Sequence, residues 1–228
     1  MIPCFYPAAP SAGAAARNRR SLERLPGTRR ELETLKQLFP DGQIFSGEEA
    51  REANYRRFAP AAQIIHLGCH GVVDRDRPEY SGIILSAGDG AADDAYLQAY
   101  ELSDIELSHR PLVVLSACDV AGGRVSPSEG LMGLTRAFTR AGAGVVVASA
   151  WKADDEATAD LMAAFYGHLT PAQISPAAAL TRAKREILSR ARSGDLLRRN
   201  GAHPFFWAGF QTFGLSRSES SAPPAPHG

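Results

Sequence analysis

Two residues of this chain, His70 and Cys118, have the side chains and the settings for covalent chemistry. Each follows a short apolar run: QIIHL (63–67) comes before His70, and LVVLS (112–116) comes before Cys118. A thiol attacks a carbonyl carbon as the thiolate. A neighbouring imidazole can take its proton and later give one to the leaving group. That division of labour requires both groups at one place. The two runs are short and rich in branched apolar residues, which predicts buried strands. Parallel neighbours would release both side chains at one edge of a sheet, and in open α/β sheets chemistry sits at the carboxyl ends of the strands.

The elements that must hold these strands alternate along the chain. Residues 28–39 (TRRELETLKQLF) place Leu32, Leu35, Leu38 and Phe39 on one face, which is helical spacing. Pro40, Asp41 and Gly42 form a turn, followed by a short strand at 43–45 and an amphipathic helix at 47–58. Residues 81–85 (SGIIL) read as an edge strand, and 97–107 as a short helical pattern closed by Pro111. Ser126, Pro127, Ser128 and Glu129 make a helix start, with a capping hydroxyl and a proline near the first position; the helix runs to about Arg140. Residues 145–149 are the next buried strand, 154–169 and 176–192 are helices, and 205–213 (FFWAGFQTF) are a final strand or edge. Repeated alternation of this kind predicts a mostly parallel sheet flanked by helices. Residues 1–24, rich in Ala, Pro and Arg, read as a linker or disordered N-terminal segment, with Cys4 an exposed thiol. Residues 217–228 (RSESSAPPAPHG) read as a disordered tail, which leaves 25–216 as the domain.

Composition narrows the function. The 228 residues carry 25 basic and 25 acidic side chains, so no whole-chain field draws the protein to nucleic acid or an anionic membrane. Three cysteines cannot complete a disulfide framework, which points to a reducing compartment, most simply the cytoplasm. The start lacks the basic and apolar regions of a signal peptide, and the longest apolar stretch, 142–151, is too short for a transmembrane helix.

Several longer motifs carry a resemblance. IIHLGCHG, LSACDVAGG, SEGLMGLTRAFTRAGA, VVASAWKADDEATADLMAAFY and HPFFWAGF occur in this order between residues 25 and 215. Together they resemble the CHAT domain, a relative of caspases and separase that usually follows tetratricopeptide repeats. The interval between His70 and Cys118 is also about that of caspases. The resemblance implies a caspase–haemoglobinase-like three-layer α/β sandwich, with a central mostly parallel sheet and helices on both faces. It implies cysteine endopeptidase activity, with His70 and Cys118 as the catalytic pair and the backbone N–H groups of Gly71 and Cys118 as the oxyanion hole. It implies neither cofactor nor metal. Separase-like relatives place an acidic specificity residue near the end of the strand that matches 145–151. On that basis Asp154 or Asp155 is a substrate-binding carboxylate for a basic P1 side chain. Two motifs depart from the family pattern: Cys69 replaces the usual threonine or serine, and Cys118-Asp119-Val120 replaces Cys-Glu-Thr. Neither change removes a reactive atom.

Each of these residues also has an ordinary structural reading. Cys118 could be a buried structural thiol, and His70 a core histidine. His66, inside an apolar run, reads as core, and Cys69 as packing. His66, Cys69 and His70 have a spacing that invites zinc, but a strand would scatter them over two faces and no fourth ligand is evident. Asp154 and Asp155 suit a helix start. Phe205, Phe206, Trp207 and Phe210 read as core or interface rather than a ligand box. A thioesterase would want a Gly-x-Ser-x-Gly elbow, which is missing. The expected partners are a protein substrate and an activating or regulatory protein or domain, with residues 72–100 a candidate gating segment near the site. The competing expectation is a catalytically silent signalling module of the same fold.

Overall fold

The computed structural model describes residues 3–7, 26–72, 74, 76–88, 94–116, 127–151, 154–172, 174–194 and 201–214. Cys118 lies outside the described residues, as do positions 8–25 and the tail from 215.

Helix α1 (Pro26–Leu38) buries Glu31 and Leu35 along one stripe and leaves Arg29, Arg30 and Glu33 in solvent. Strand β2 (Gln43–Gly47) and the two-turn helix α2 (Glu52–Phe58) follow. Strand β3 (Ile64–Leu67) leads to His70. A small antiparallel sheet comes next, built from β4 (Gly71–Val72), β5 (Gly82–Ile84) and β6 (Tyr96–Gln98). Helix α3 (Ala99–Asp104) opens with Gln98 N donating to Glu101 Oε2 (2.9 Å). Strand β7 (Leu112–Leu115), helix α4 (Pro127–Ala141) and strand β8 (Val145–Ser149) supply the centre of the molecule. Helices α5 (Asp155–Ala172) and α6 (Pro176–Ser193) precede the last strand, β9 (Phe210–Gly214). Ser175 caps α6 by accepting from Ala178 N (3.3 Å), and left-handed Gly194 closes it.

The N-terminal boundary differs from the sequence reading. Pro3–Pro7 is not linker: it forms strand β1, parallel to both β2 and β3. Cys4, Phe5 and Tyr6 are all buried, with Cys4 only 2% exposed. Five residues bounded by prolines carry too little pattern to announce a strand, but the gap between β2 and β3 requires one.

The main sheet runs β2-β1-β3-β7-β8-β9. All its pairings are parallel except the last, β8 with β9. Strands β7 and β8 are buried at every position, which explains their unbroken apolar sequence. Two cores lie against the sheet. One packs Phe5, Tyr55, Ile65, Leu67, Val113 and Phe138 under α2, α3 and α4. The other packs Cys4, Tyr6, Val114, Val147, Phe165 and Tyr166 under α1, α5 and α6. The result is a three-layer sandwich with helices on both faces, as the alternation predicts. Among the described residues, no helix is long and apolar enough to cross a membrane.

Candidate active site

Strand pairing sets the two strands that precede the chemical positions side by side. In β3 and β7, Ile64, Ile65, His66 and Leu67 stand opposite Leu112, Val113, Val114 and Leu115. The ladder continues past both strands, where Ser116 N donates to Leu67 O (3.0 Å) and Gly68 N donates to Phe5 O (3.0 Å). His70 is the third residue beyond Leu67, and Cys118 is the third beyond its register partner Leu115.

The path from β3 to His70 is sterically defined. A Cβ on Gly68 would fall 2.4 Å from the Tyr6 ring and 3.1 Å from Thr28 Cγ2, so only glycine passes. Cys69 then turns into the core beneath α2, α3 and α4, while His66 belongs to the opposite layer. Two of the three side chains that invited a metal reading, His66 and Cys69, therefore lie in opposite layers. His70 is buried, and its carbonyl accepts from Ile84 N (2.8 Å), which ties the segment to the small sheet. Gly71 opens β4 opposite Ile83, and a Cβ there would make only ordinary contact, 3.7 Å from Leu134. Packing does not demand glycine at that position.

His66 sits at the centre of a buried polar group. Its Nδ1 is 2.9 Å from the Tyr166 hydroxyl and its Nε2 is 3.2 Å from Glu31 Oε1, while Tyr6 stacks on its ring. These contacts link β3 to α1 and α5 and give His66 the core role expected of it. Glu31 and Tyr166 did not stand out in the sequence, because each occupies an unremarkable position in a helix. Burial, helped by the Glu31 charge, pushes the Cys4 thiol up to about 12, so it is an inert thiol.

The two acidic candidates lie at the head of α5. Asp154 Oδ1 accepts from Ala157 N (2.9 Å), and its carbonyl accepts from Thr158 N and Oγ1, which makes it the helix cap. The Asp155 carboxylate reaches across to α1, where it accepts from Gly27 N and lies 3.5 Å from Thr28 Oγ1. Burial raises its pKa, opposed by the Gly27 N–H. The helix-start reading thus describes Asp154, whereas the Asp155 carboxylate serves the start of α1 rather than of its own helix. The aromatic run divides: Phe210 is buried, Trp207 packs against the α1/α5/α6 core, and Phe205 and Phe206 stay near the surface.

A family model for the CHAT domain matches residues 6–215. The chain belongs to the CHAT domain family. Its fold is that of cysteine peptidases. The Arg-specific cysteine proteinase gingipain R superimposes with a TM-score of 0.56 at 11% identity, covering 93% of this CHAT domain and 45% of that chain. A complex of the Porphyromonas gingivalis RgpB pro- and mature domains gives a TM-score of 0.55 at 9% identity, covering 94% and 47%. Tetratricopeptide repeat protein 28 of Mus musculus is 36% identical over 118 residues, which is 52% of this CHAT domain and 4% of that protein. The CHAT domain therefore spans a small part of that relative and about half of each gingipain chain.

Proposed function

We propose that this CHAT domain is a cysteine endopeptidase with Cys118 as nucleophile and His70 as its acid/base partner. One observation carries the reading. Two neighbouring parallel strands are in register, and the imidazole and the thiol each stand three residues beyond a register pair. Neighbouring strands lie about 4.8 Å apart, so strand ends in register start both three-residue segments from adjacent points of one sheet edge, which supports a shared site.

In this reading the Cys118 proton passes to His70, and the thiolate adds to the scissile carbonyl carbon. The oxyanion is received by the N–H groups of Gly71 and Cys118, where one donor contributes about 3–4 kcal/mol. His70 gives its proton to the departing amine as the C–N bond breaks, leaving a thioester. Water then attacks the thioester, its proton goes to His70, and the thiol is regenerated. A reducing compartment such as the cytoplasm keeps the nucleophile in working form.

The same reading takes Asp154 or Asp155 as the selector of a basic P1 residue. Their place after β8, beside the proposed cleft, supports it, as does the Arg specificity stated in the name of gingipain R. Asp154 is the stronger choice, because its carboxylate stays at the head of α5, with Oδ1 on Ala157 N, whereas that of Asp155 is drawn across to α1. We also take the activity to be governed by a partner protein or domain, acting near residues 72–100.

The test is cleavage of a peptide panel that varies P1, read by mass spectrometry. Wild type cuts after Arg or Lys. Cys118→Ala and His70→Ala each lower cutting by at least about a thousandfold, with unchanged circular dichroism. Asp154→Asn lowers kcat/KM for an Arg substrate about tenfold or more. Equal cutting after Asp, Ala and Arg removes the basic-P1 reading. Peptidase activity that survives in Cys118→Ala removes the mechanism. Retained fold and partner binding with no cleavage under any condition would favour the silent signalling module.

A further inference from the structure

We propose that Trp151, Phe205 and Phe206 form an aromatic shelf at the proposed catalytic edge, which holds a large apolar side chain of the substrate two residues from the scissile bond. The inference rests on the peptidase reading above, and deepens it by naming a second determinant of specificity.

The sheet register places the shelf. Leu67, Leu115 and Ala148 stand in one row across β3, β7 and β8. Trp151 is the third residue beyond Ala148, just as His70 and Cys118 are third beyond their own members of that row. The pairing of β8 with the incoming segment continues past the strand, where Ala150 N donates to Gly209 O (2.9 Å). Trp151 therefore follows β8, which neighbours β7, the strand that precedes Cys118, on the side remote from β3 and His70.

The aromatic groups are held there by specific contacts. Trp151 Nε1 donates to Phe205 O (2.9 Å). Its indole lies against Gly209, where a Cβ would fall 2.8 Å from Cε2 and 3.0 Å from Nε1. Phe205 and Phe206 meet edge to face, with ring centroids 5.4 Å apart at 86°. Phe205 N donates to His203 Nδ1 (3.2 Å), which fixes the 3-10 turn that begins at Pro204. The turn keeps Phe205 46% exposed, although the same run buries Phe210 almost completely. An ordered apolar surface left open beside a proposed reaction site suits ligand binding better than folding alone.

The chemistry of the shelf selects its ligand. Its exposed surface is aromatic, which favours apolar and aromatic side chains. An extended peptide advances about 3.3 Å per residue with alternating side chains, so the residue two positions from the scissile bond reaches about 7 Å along the edge. That matches one strand spacing plus the reach of an indole. The intervening residue points the other way and is not selected by the shelf.

The test separates this inference from the peptidase reading. Peptides with a fixed basic P1 carry Phe, Leu, Gly, Asp or Arg two positions from the scissile bond, on either side. Binding is measured on the Cys118→Ala chain, which is expected to bind without cutting. The chain has only two tryptophans, so a Trp207→Phe background leaves Trp151 as the sole reporter. The Phe and Leu peptides are expected to bind about tenfold more tightly than the Gly peptide and to shift the Trp151 emission to the blue. Phe205→Ala is expected to abolish that preference, and Tyr100→Ala, an exposed aromatic elsewhere, to retain it. Equal binding of Phe and Gly peptides, no binding at all, selection of Arg alone, or a preference that survives Phe205→Ala would overturn the shelf. If the Cys118→Ala chain discriminates while the intact chain never cleaves, the peptidase reading fails and the shelf remains as a peptide-binding site.

Discussion

Gly68 carries the chain from β3 to His70 over the Tyr6 ring, with no space for a methyl group. Gly68→Ala is expected to cost about 1–3 kcal/mol or more, because the ring cannot move without disturbing His66, on which it stacks. Urea unfolding measures the cost, and an unchanged midpoint would contradict it. Asp155 gives a pH prediction. Burial holds its carboxyl above the ordinary range despite the Gly27 N–H. The folded chain therefore binds this proton more tightly than the unfolded chain. The stability it contributes is complete below the unfolded pKa, about 3.9, and is lost as pH rises through the folded value. Wild-type stability minus that of Asp155→Asn should fall as pH is raised from about 4 to about 7. A flat or rising difference contradicts that sign. At this scale the strands that precede His70 and Cys118 were legible, because each is a short apolar run. The duties of Asp154 and Asp155 were not, since a carboxylate that caps its own helix and one that caps another look identical in sequence.

At the scale of elements, β1 is the clearest lesson. Strands β3, β7 and β8 announced themselves through continuous branched residues, and α1, α4, α5 and α6 through helical period and start signals. Strand β1 has no such signature, and only its parallel pairing with both β2 and β3 reveals it. The strands β4 and β6, of two and three residues, are equally silent. Residues 205–213 read as one strand, but Pro204 starts a 3-10 turn, and the strand proper begins at Phe210. The importance of β1 is open to measurement. Phe5 is fully buried and stacks on Phe45, with ring centroids 5.1 Å apart. Phe5→Ala is expected to cost about 3–5 kcal/mol and to lower the thermal midpoint accordingly. A loss below about 1 kcal/mol would mean that the strand is dispensable.

The whole molecule joins a mostly parallel sheet, packed on both faces, to a small antiparallel sheet that begins at Gly71. The large sheet fixes where the chain leaves β3 and β7, the strands that precede His70 and Cys118 in the sequence. The central proposal is that those two groups work together, and the pH profile of Cys118 alkylation tests it most directly. Iodoacetamide is applied to wild type and His70→Ala, and mass spectrometry follows the label on Cys118, since Cys4 and Cys69 are buried. In wild type, rapid alkylation should persist well below pH 8.5, the ordinary thiol value, because the imidazole stabilises the thiolate. In His70→Ala, the profile should move up to about that ordinary value. Superimposable profiles would show that the two groups do not act together, and would contradict the account.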